Sequence, residues 1–215
     1  EITKLFCYPN DKKDTSYSIP DTVTQTAEEA FDYPYHIESL TISDSFTEIS
    51  LNFFSGFYGL KFVKLGSKIT ANDMGKVLRK CNILESVEVS EENQNYASFS
   101  GSLYSKDFTT LIYVPPLMTD EKLNLRNDFV FLGDGAFAHC KYITSITLPP
   151  NLKKINVSSF NDCTNLTSVI MPEGLLEICF ASFTGSQVKS INIPDSVIKI
   201  ENNAFSNMNA LEFVK

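Results

Sequence analysis

Five cysteines are the residues of this chain that most readily do chemistry. Cys140 and Cys163 occupy the same place in two consecutive copies of an internal repeat, whereas Cys7 and Cys179 do not; the fifth cysteine is Cys81. The sequence has no Cys-x-x-Cys pair and no zinc-ligand spacing, which argues against a redox or zinc site. If equivalent positions of a repeat stack about 5 Å apart, Cys140 and Cys163 come within disulfide range. The alternative is a ladder of buried free thiols in a small apolar slot, and we favour this ladder.

The two histidines do not indicate catalysis. His36 and His139 each follow shortly after a phenylalanine, in segments that we predict to be surface turns. His139 precedes Cys140, but adjacent residues do not normally face each other, so we predict no catalytic His–Cys pair. No nucleophile elbow, phosphate-binding loop or His-Glu-x-x-His motif occurs. We therefore predict no catalytic, cofactor-binding or metal-ligating residue, no cofactor and no enzymatic activity.

Two N-glycosylation sequons begin at Asn156 and Asn165. They carry little weight in a bacterial protein, whereas in a secreted eukaryotic protein Asn165 would be a plausible acceptor. Such triplets also arise by chance in a chain rich in Asn and Ser. The sequence therefore leaves their modification open.

An internal repeat must position all of these groups. Residues 143–160, 166–183 and 188–205 align without a gap. A phenylalanine recurs at the same position of successive copies, as Phe137, Phe160, Phe183 and Phe205. A repeat this short cannot bury its apolar face alone, so neighbouring copies must stack into a solenoid. Solenoids generally bind partners over the long surface of their stacked strands, which favours a binding protein over an enzyme.

Each copy predicts one short strand and two turns. In the copy at residues 143–160, the two-residue step from Ile146 to Leu148 suits a strand with alternating faces, and Pro149 follows. Proline lacks the N–H that a strand ladder needs, so the strand ends there. We therefore predict short parallel strands, one per coil of about 23 residues. The residues expected to stack inside are Ile146, Val169, Ile191 and the repeated phenylalanines.

Residues 90–116 depart from the repeat and predict a β-hairpin insertion. Two apolar-aromatic runs, at 103–104 and 111–114, flank Ser105-Lys106-Asp107, which indicates a hairpin near residues 96–116. We expect the main repeat to resume with a strand at Leu123-Asn124-Leu125.

A longer periodicity is superimposed on the short one. Residues 4–31 align without a gap with residues 110–137. By this alignment the chain begins inside the second half of a hairpin, and neither end reads as a capping repeat. We therefore expect it to be a segment of a longer array.

The composition indicates a single domain, residues 1–215, and excludes several classes of partner. The chain has 18 basic and 26 acidic residues and a formal net charge of −8. No Lys/Arg cluster exceeds two consecutive residues, so we predict no nucleic-acid binding. No apolar run approaches the roughly 18 residues that a membrane span needs, so we predict no membrane insertion of this segment.

The outward positions of the predicted strands carry the sharpest functional hypothesis. The predicted protein-binding strand face contains Lys61, Phe62, Lys64, Glu85, Glu88, Thr147, Ile170 and Lys189. Phe62 and Ile170 are apolar side chains at outward positions, where they can anchor a partner. The alternative is a solvated strand face with matched cross-strand charges, in which the lysines lie between Glu38 on one side and two glutamates on the other.

These copies resemble the BspA-like leucine-rich repeats, whose pattern reads L-x-x-I-x-[IL]-P-x-x-[LV]-x-x-I-x-x-x-A-F-x-x-C. Residues 143–163 match this pattern with Ser159 in place of the alanine, and residues 188–205 match it through Ala204 and Phe205. Residues 101–116 are similar to a hairpin insertion that is common in that family. The resemblance covers nearly the whole chain. It implies an α/β leucine-rich-repeat solenoid, right-handed, on a secreted or surface protein of bacteria or parasitic protozoa.

Members of that family are associated with adhesion and share no catalytic residues. The resemblance therefore implies a non-enzymatic, extracellular protein-binding module, with a host extracellular-matrix protein or a microbial surface protein as its partner. The first alternative is a structural stalk of a larger surface protein, which would have no selective face. The second is a solenoid enzyme domain, which would need a column of convergent carboxylates or histidines that the strand face lacks.

Overall fold

Parallel strand pairs stack the coils of the chain on one another, as the repeat predicts. The structure is a computed structural model that describes residues 3–9, 12–27 and 30–215. About nine coils follow one another, with their parallel strands about 23 residues apart in sequence. The predicted solenoid is therefore confirmed. Within the described residues, helix is limited to one five-residue element.

The strands are two to four residues long. In chain order they are β1 (Lys4–Leu5), β2 (Ser16–Ser18), β3 (Gln25–Thr26), β4 (Ser39–Thr41), β5 (Phe62–Leu65), β6 (Ser86–Val89), β7 (Tyr96–Phe99), β8 (Ser102–Ser105), β9 (Thr110–Tyr113), β10 (Phe131–Leu132), β11 (Ser145–Thr147), β12 (Lys154–Ile155), β13 (Ser168–Ile170), β14 (Glu177–Ile178), β15 (Ser190–Ile191), β16 (Lys199–Ile200) and β17 (Phe213–Val214). The helix, α1, spans Met74–Leu78 and lies between β5 and β6. Asp73 caps it, because its carboxylate accepts a hydrogen bond from the Lys76 N–H.

Parallel pairing arranges most of the strands in two columns. The first column contains β2, β4, β5 and β6 and, further along the chain, the pairs β11–β13 and β15–β17. The second column contains the pairs β1–β3 and β9–β10 and the sheet β12–β14–β16. Equivalent repeat positions pair, as Ser145 does with Ser168 and Ile146 with Val169. Coils that contribute to both columns therefore have a second short strand, whereas the sequence predicts one strand per coil.

The predicted interior positions are buried. Ile146, Val169 and Ile191 are each at most 9% exposed. They belong to an apolar core whose two clusters meet at the insertion, where Tyr104 lies in one cluster and Leu103 in the other. The alternation of faces along each strand therefore separates core from surface as expected.

The repeated phenylalanines form a continuous stack. Phe137, Phe160 and Phe183 are fully buried, and Phe205 is partly buried. Successive ring centroids are 4.9, 5.1 and 5.6 Å apart, with interplanar angles of 15°, 6° and 15°. The backbone fixes this stack, because the N–H of Phe160 donates to the carbonyl of Ser182 at 2.7 Å, and Phe137 and Phe183 donate to the equivalent carbonyls of their next coils. The predicted interior position of these rings is confirmed for the first three.

The insertion lies within the predicted range, near residues 96–116, but has one strand more than a hairpin. β8 and β9 pair antiparallel around the predicted turn, and β7 also pairs antiparallel with β8. β9 then pairs in parallel with β10. The insertion is therefore a three-stranded antiparallel unit whose last strand is also part of the second column.

The alignment of the chain's beginning with its middle is reproduced in the hydrogen bonding. β1 pairs with β3, and β9 pairs with β10, in the same register. The N–H of Tyr8 donates to the carbonyl of Ala30 at 2.6 Å, and the equivalent N–H of Val114 donates to Ala136 at 2.8 Å. Residues 4–27 and 110–133 are thus structural equivalents where the structure describes both.

The predicted strand at Leu123-Asn124-Leu125 is wrong. That segment is not a strand, and the next strand of the chain is β10 at Phe131–Leu132. The N–H groups of Lys122 and Leu123 both donate to the carbonyl of Thr119, so a turn occupies the position. Leu123 and Leu125 still pack against the core, which explains their apolar alternation.

Candidate protein-interaction face

The first column of strands presents a regular outer surface. In β5, Phe62 and Lys64 are exposed, whereas Val63 and Leu65 are buried. Lys64 lies in register with Thr41 of β4 and Glu88 of β6. Successive strands are about 4.8 Å apart, so these outward side chains form rows that run along the solenoid.

The structure places the eight predicted face residues in two groups. Lys61, Phe62, Lys64, Glu85 and Glu88 lie on or beside β5 and β6, and Thr147, Ile170 and Lys189 lie on or beside β11, β13 and β15. Thr147 and Ile170 are directly paired. The insertion and the segment after it, which contributes no strand to the first column, separate the two groups, so the eight residues do not form one patch. Phe62 is 45% exposed and Ile170 is 60% exposed, so each group contains one exposed apolar side chain.

Ion pairs occupy part of the first group. The Lys61 ammonium lies 3.0 Å from a Glu38 carboxylate oxygen, and the Lys122 ammonium lies 3.7 Å from Glu85. Exposed pairs of this kind contribute about 0–1 kcal/mol each. The pairing of Lys61 with Glu38 is what a solvated face predicts. Within the described residues, Lys64 and Glu88 form no ion pair, and their charges remain available to a partner.

The insertion closes the outer edge of this sheet. The N–H of Val87 donates to the Gly101 carbonyl at 2.9 Å, and the N–H of Val89 donates to the Ser98 hydroxyl at 3.0 Å. Asn93, which is fully buried, fastens the start of the insertion, since its amide donates to the carbonyl of Gly66 at 2.8 Å. The far edge of β6 is therefore satisfied by the insertion instead of by another coil.

A groove of about 760 Å³ lies between the strand face and the insertion. Thr41, Lys64 and Glu88 line it on the strand side, and Ser98 and Gly101 line it on the insertion side. It also contains the turns that follow the strands. The groove is thus walled on one side by a segment that departs from the repeat.

Acidic side chains line the turns of this groove. Asp21 follows β2, Asp44 follows β4 and Glu91 follows β6, all three are exposed, and all three line the groove. Asp44 accepts a hydrogen bond from the Ser67 N–H at 2.6 Å, and this bond lowers the pKa of the Asp44 carboxyl below its ordinary value. Asp44 is therefore ionised throughout the physiological range.

The floor of the groove contains an unpaired hydroxyl. Ser43 is 6% exposed, and its Oγ has no hydrogen-bond partner within the part of the chain that the structure describes. An unsatisfied buried hydroxyl is uncommon, because losing water without a replacement bond costs free energy. The Ser43 hydroxyl therefore has an unused hydrogen bond at the lining of the groove.

The predicted thiol ladder is confirmed. All five cysteines are free, and Cys140 and Cys163 are buried. The Cys163 thiol donates to the carbonyl of Phe137 at 3.0 Å. Burial raises the pKa of Cys163 to about 12, and burial also raises the pKa of Cys140 well above its ordinary value. Neither thiol is therefore a nucleophile at neutral pH.

The histidines behave differently from each other. His139 lies at an exposed turn with φ of 66°, and its Nδ1 is 3.7 Å from an Asp162 oxygen. Since Cys140 beside it is buried, the two side chains do not form a catalytic pair. The prediction of a surface position is wrong for His36, which is half-buried in its turn because its ring packs 6.2 Å from Tyr8.

The two sequons differ in exposure. Asn165 is exposed, and its amide donates to the Lys141 carbonyl at 2.6 Å. Asn156 is half-buried. Geometry therefore favours Asn165 over Asn156 as an acceptor, as the sequence does.

The groove is the feature that sequence reasoning missed. The hairpin turn was visible in the sequence, but the pairing of the insertion with the edge of β6 was not. Asp21 and Asp44 occupy the same position of consecutive repeats, and this recurrence is the signal that could have found them. Among the described residues, no cluster of three or more His, Cys, Asp or Glu side chains could hold a metal ion. No helix in the described ranges has the length and hydropathy of a membrane span.

Comparison with known proteins identifies relatives of the repeat and of the fold. The sequence matches the model of the BspA type leucine-rich repeat region over residues 3–112 and 120–214, in six copies. A leucine-rich cell surface protein from Faecalibacterium prausnitzii has a similar structure, with a TM-score of 0.73 and 23% identity over 93% of this chain and 59% of that chain. The pneumococcal vaccine antigen PcpA has a TM-score of 0.70 and 20% identity over 99% of this chain and 67% of that chain. This chain therefore spans about three fifths of the length of the first of these structures. No curated protein has a matching sequence.

Proposed function

This chain belongs to the BspA-type leucine-rich repeat family, and on that premise we propose that it is a non-enzymatic, extracellular protein-binding module. Its family and fold are typically non-enzymatic. The proposed role is adhesion at a microbial cell surface, with a host extracellular-matrix protein or another microbial surface protein as partner. The cell-surface protein of Faecalibacterium prausnitzii and the pneumococcal antigen, which share the fold, support the extracellular location.

The exposed apolar side chains of the strand face carry this proposal. Phe62 and Ile170 are 45% and 60% exposed, although each lies in a strand whose neighbouring residues are buried. Large apolar side chains on a flat strand surface are typical anchors of protein interfaces, because a partner removes them from water. Lys64, Glu88 and Lys189 add charged groups around these anchors. A buried anchor surrounded by polar groups is the usual anatomy of a protein-binding site.

Adhesion of the purified chain to a panel of extracellular-matrix proteins and microbial surface fractions tests the proposal. Phe62→Ser, and separately Ile170→Ser, should each weaken any observed binding by about tenfold, the loss expected for an interface anchor. Phe180→Ser is the matched control, since Phe180 is also 45% exposed but lies outside the first strand column. It should change binding by less than about twofold.

Three results would contradict the proposal. Equal binding by wild type and by both strand-face variants would place the contact elsewhere. Equal losses in the strand-face and Phe180 variants would indicate nonspecific adhesion through apolar side chains. Failure of the wild type to bind any member of the panel would favour a structural stalk.

A further inference from the structure

The groove beside the insertion differs from the rest of the strand face in charge and shape. It is bounded by the insertion on one side, whereas the outer surface of β11, β13 and β15 lies beyond the insertion. Its lining includes the carboxylates of Asp21, Asp44, Glu88 and Glu91. None of these four carboxylates forms an ion pair within the described residues. The lysine of its lining is Lys64, and a second lysine, Lys68, acts electrostatically on Asp44.

The carboxylates recur at the spacing of the coils. Asp21 and Asp44 occupy equivalent positions after β2 and β4, one coil apart, and Glu91 follows β6, two coils further on. Neighbouring coils rise by about 4.8 Å, so the row extends over roughly 15 Å along the solenoid. The two gaps in the row are about 4.8 and about 9.6 Å, one shorter and one longer than the roughly 7 Å between same-side side chains of an extended polypeptide. The flexible four-carbon stem of lysine allows side chains at alternate positions of an extended segment to adjust to both gaps.

The groove also contains polar groups that can pair with a peptide backbone. The buried hydroxyl of Ser43 lacks a partner in the described chain, as stated above, and Ser98 and Ser100 line the wall formed by the insertion. A backbone carbonyl or N–H that reached Ser43 after a small shift of its side chain would satisfy this hydroxyl. The insertion already satisfies the edge of β6, so a peptide here would lie across the strands instead of extending the sheet.

We propose that this groove binds an extended, basic segment of the partner protein, with lysine or arginine side chains on Asp21, Asp44 and Glu91. This rests on the proposed function, since it names the chemistry of the partner for part of the same face. In the structure Lys61 is paired with Glu38, and the carboxylates outnumber the lysines in the groove. Complementary charge of this kind favours association and is weakened by salt.

Fluorescence anisotropy with a labelled peptide of about ten residues that alternates Lys and Ser tests the proposal. The full chain should bind this peptide at least about tenfold more tightly than the matched Glu–Ser peptide, and binding should weaken between about 50 mM and about 500 mM NaCl. Equal affinity for the two peptides, or no binding of the Lys–Ser peptide, would overturn it.

Two variants with equal charge localise the site. Asp21→Asn with Asp44→Asn removes two negative charges from the groove, whereas Glu173→Gln with Asp195→Asn removes two from equivalent repeat positions after β13 and β15. The groove variant should lose about tenfold in affinity for the Lys–Ser peptide, and the control should lose less than about twofold. Similar losses in both would mean that net charge, and not this groove, attracts the peptide.

Further measurements separate a peptide site from its alternatives. Lys64→Glu should strengthen binding of the Lys–Ser peptide. Ser43→Ala should weaken binding of this peptide by about two- to threefold without lowering the urea midpoint of unfolding.

If calcium chloride alone raises the melting temperature of the wild type but not of the groove variant, the groove is a cation site and the proposal is wrong. If the adhesion of the chain depends on Phe62 and Ile170 while the Lys–Ser peptide fails to bind, the proposed function stands and this inference falls. If the peptide binds in the groove but the chain adheres to no protein of the panel, the inference stands and the proposed function falls.

Discussion

The C-terminal coils and the N-terminal half pack the same residue type in two different ways. In the C-terminal coils, each phenylalanine stacks on the next at interplanar angles of 6° to 15°. In the N-terminal half, four contacts among Phe31, Phe53, Phe54 and Phe57 have angles from 53° to 82°, and only Phe53 and Phe57 are stacked. One ring per coil at a fixed position gives a stack, whereas several rings per coil must interlock.

The same contrast extends to the surface. The C-terminal strands β11, β13 and β15 carry Ser, Thr and Lys around Ile170, with no insertion among them. The N-terminal strands adjoin the insertion, the acidic turns and the groove. The coils that follow the repeat closely share one backbone arrangement. The insertion, which departs from the repeat, forms one wall of the groove. We therefore expect core substitutions to be most destabilising in the C-terminal coils. We expect the N-terminal half to determine which partner is bound.

The largest predicted effect compares one ring from each region. Phe160→Ala should lower the free energy of unfolding by about 4–5 kcal/mol and Phe57→Ala by about 3 kcal/mol, because the cost of a cavity depends on how well its surroundings can collapse. Phe160 lies between Phe137 and Phe183, and the inter-coil hydrogen bonds hold these neighbours in place. We expect the differently oriented rings around Phe57 to tilt partly into the space. Urea denaturation monitored by circular dichroism measures both values.

A surface substitution calibrates that experiment. Thr147→Ala should cost less than about 0.5 kcal/mol, since Thr147 is exposed on β11. Thr144 is a poorer control, because its N–H and hydroxyl both donate to the Asp120 carboxylate. A Phe57 variant less stable than the Phe160 variant would reverse the proposed contrast in rigidity.

A second comparison concerns one polar side chain from each region. Asn93→Ala should cost about 2–4 kcal/mol, because it leaves buried groups of the insertion without partners. The Asn93 amide donates to Gly66 and Ile69, and its oxygen accepts from the N–H groups of Asn95 and Tyr96.

The C-terminal counterpart of that substitution is Ser182→Ala. It should cost less than about 1 kcal/mol: the hydroxyl no longer donates to the carbonyls of Cys179 and Asn156, but alanine already occupies the equivalent positions 136 and 204. Thermal and urea melts of the two variants measure the difference. Equal costs would mean that the insertion is not held by Asn93.

The sequence predicts the regular part of this molecule better than the irregular part. The register of Ile146 on Val169, the burial of Phe160 and the free thiols follow from a period that recurs in every C-terminal copy. The strand expected at Leu123–Leu125 fails because Thr119 accepts two N–H bonds and forms a turn, a local competition that apolar alternation does not reveal. The partial burial of His36 escapes prediction for a related reason, since it depends on a contact with Tyr8, which is distant in the sequence.

The candidate site divides in the same way. The exposure of Phe62 and Ile170 follows from strand alternation, which depends only on neighbouring residues. The groove depends on the bonds from Val87 and Val89 to the insertion, which have no periodic signature in the sequence. The composition of the acidic turns was visible, but the wall that makes them a groove was not.

Thiol reactivity should differ between Cys7, near the beginning of the chain, and the buried cysteines of the C-terminal coils. In native protein at pH 8, Cys7 should react with a disulfide reagent as an ordinary exposed thiol does, whereas Cys140 and Cys163 should react at least about a hundredfold more slowly. Burial raises the pKa of Cys163 to about 12, so raising the pH from 8 to 9.5 should leave its thiol largely protonated and slow. In denaturant all five cysteines should react. A mass lower by two hydrogens, with Cys140 and Cys163 unreactive in denaturant, would show a disulfide instead.

The smallest predicted effect concerns pH and the acidic turns. The Ser67 N–H lowers the pKa of Asp44 in the folded chain, so this bond contributes stability above the ordinary aspartate pKa of about 3.9 and loses it as the pH falls through the lowered folded value. The contribution should not exceed about 0.5 kcal/mol, because Asp44 is exposed and solvent screens its charge.

Wild type should therefore be slightly more stable than Asp44→Asn at pH 7, and the difference in the free energy of unfolding should shrink or vanish near pH 3. Urea melts of the two proteins between pH 3 and pH 7 measure this, and a difference that grows as the pH falls would mean that Asp44 is held by repulsion and not by its hydrogen bond.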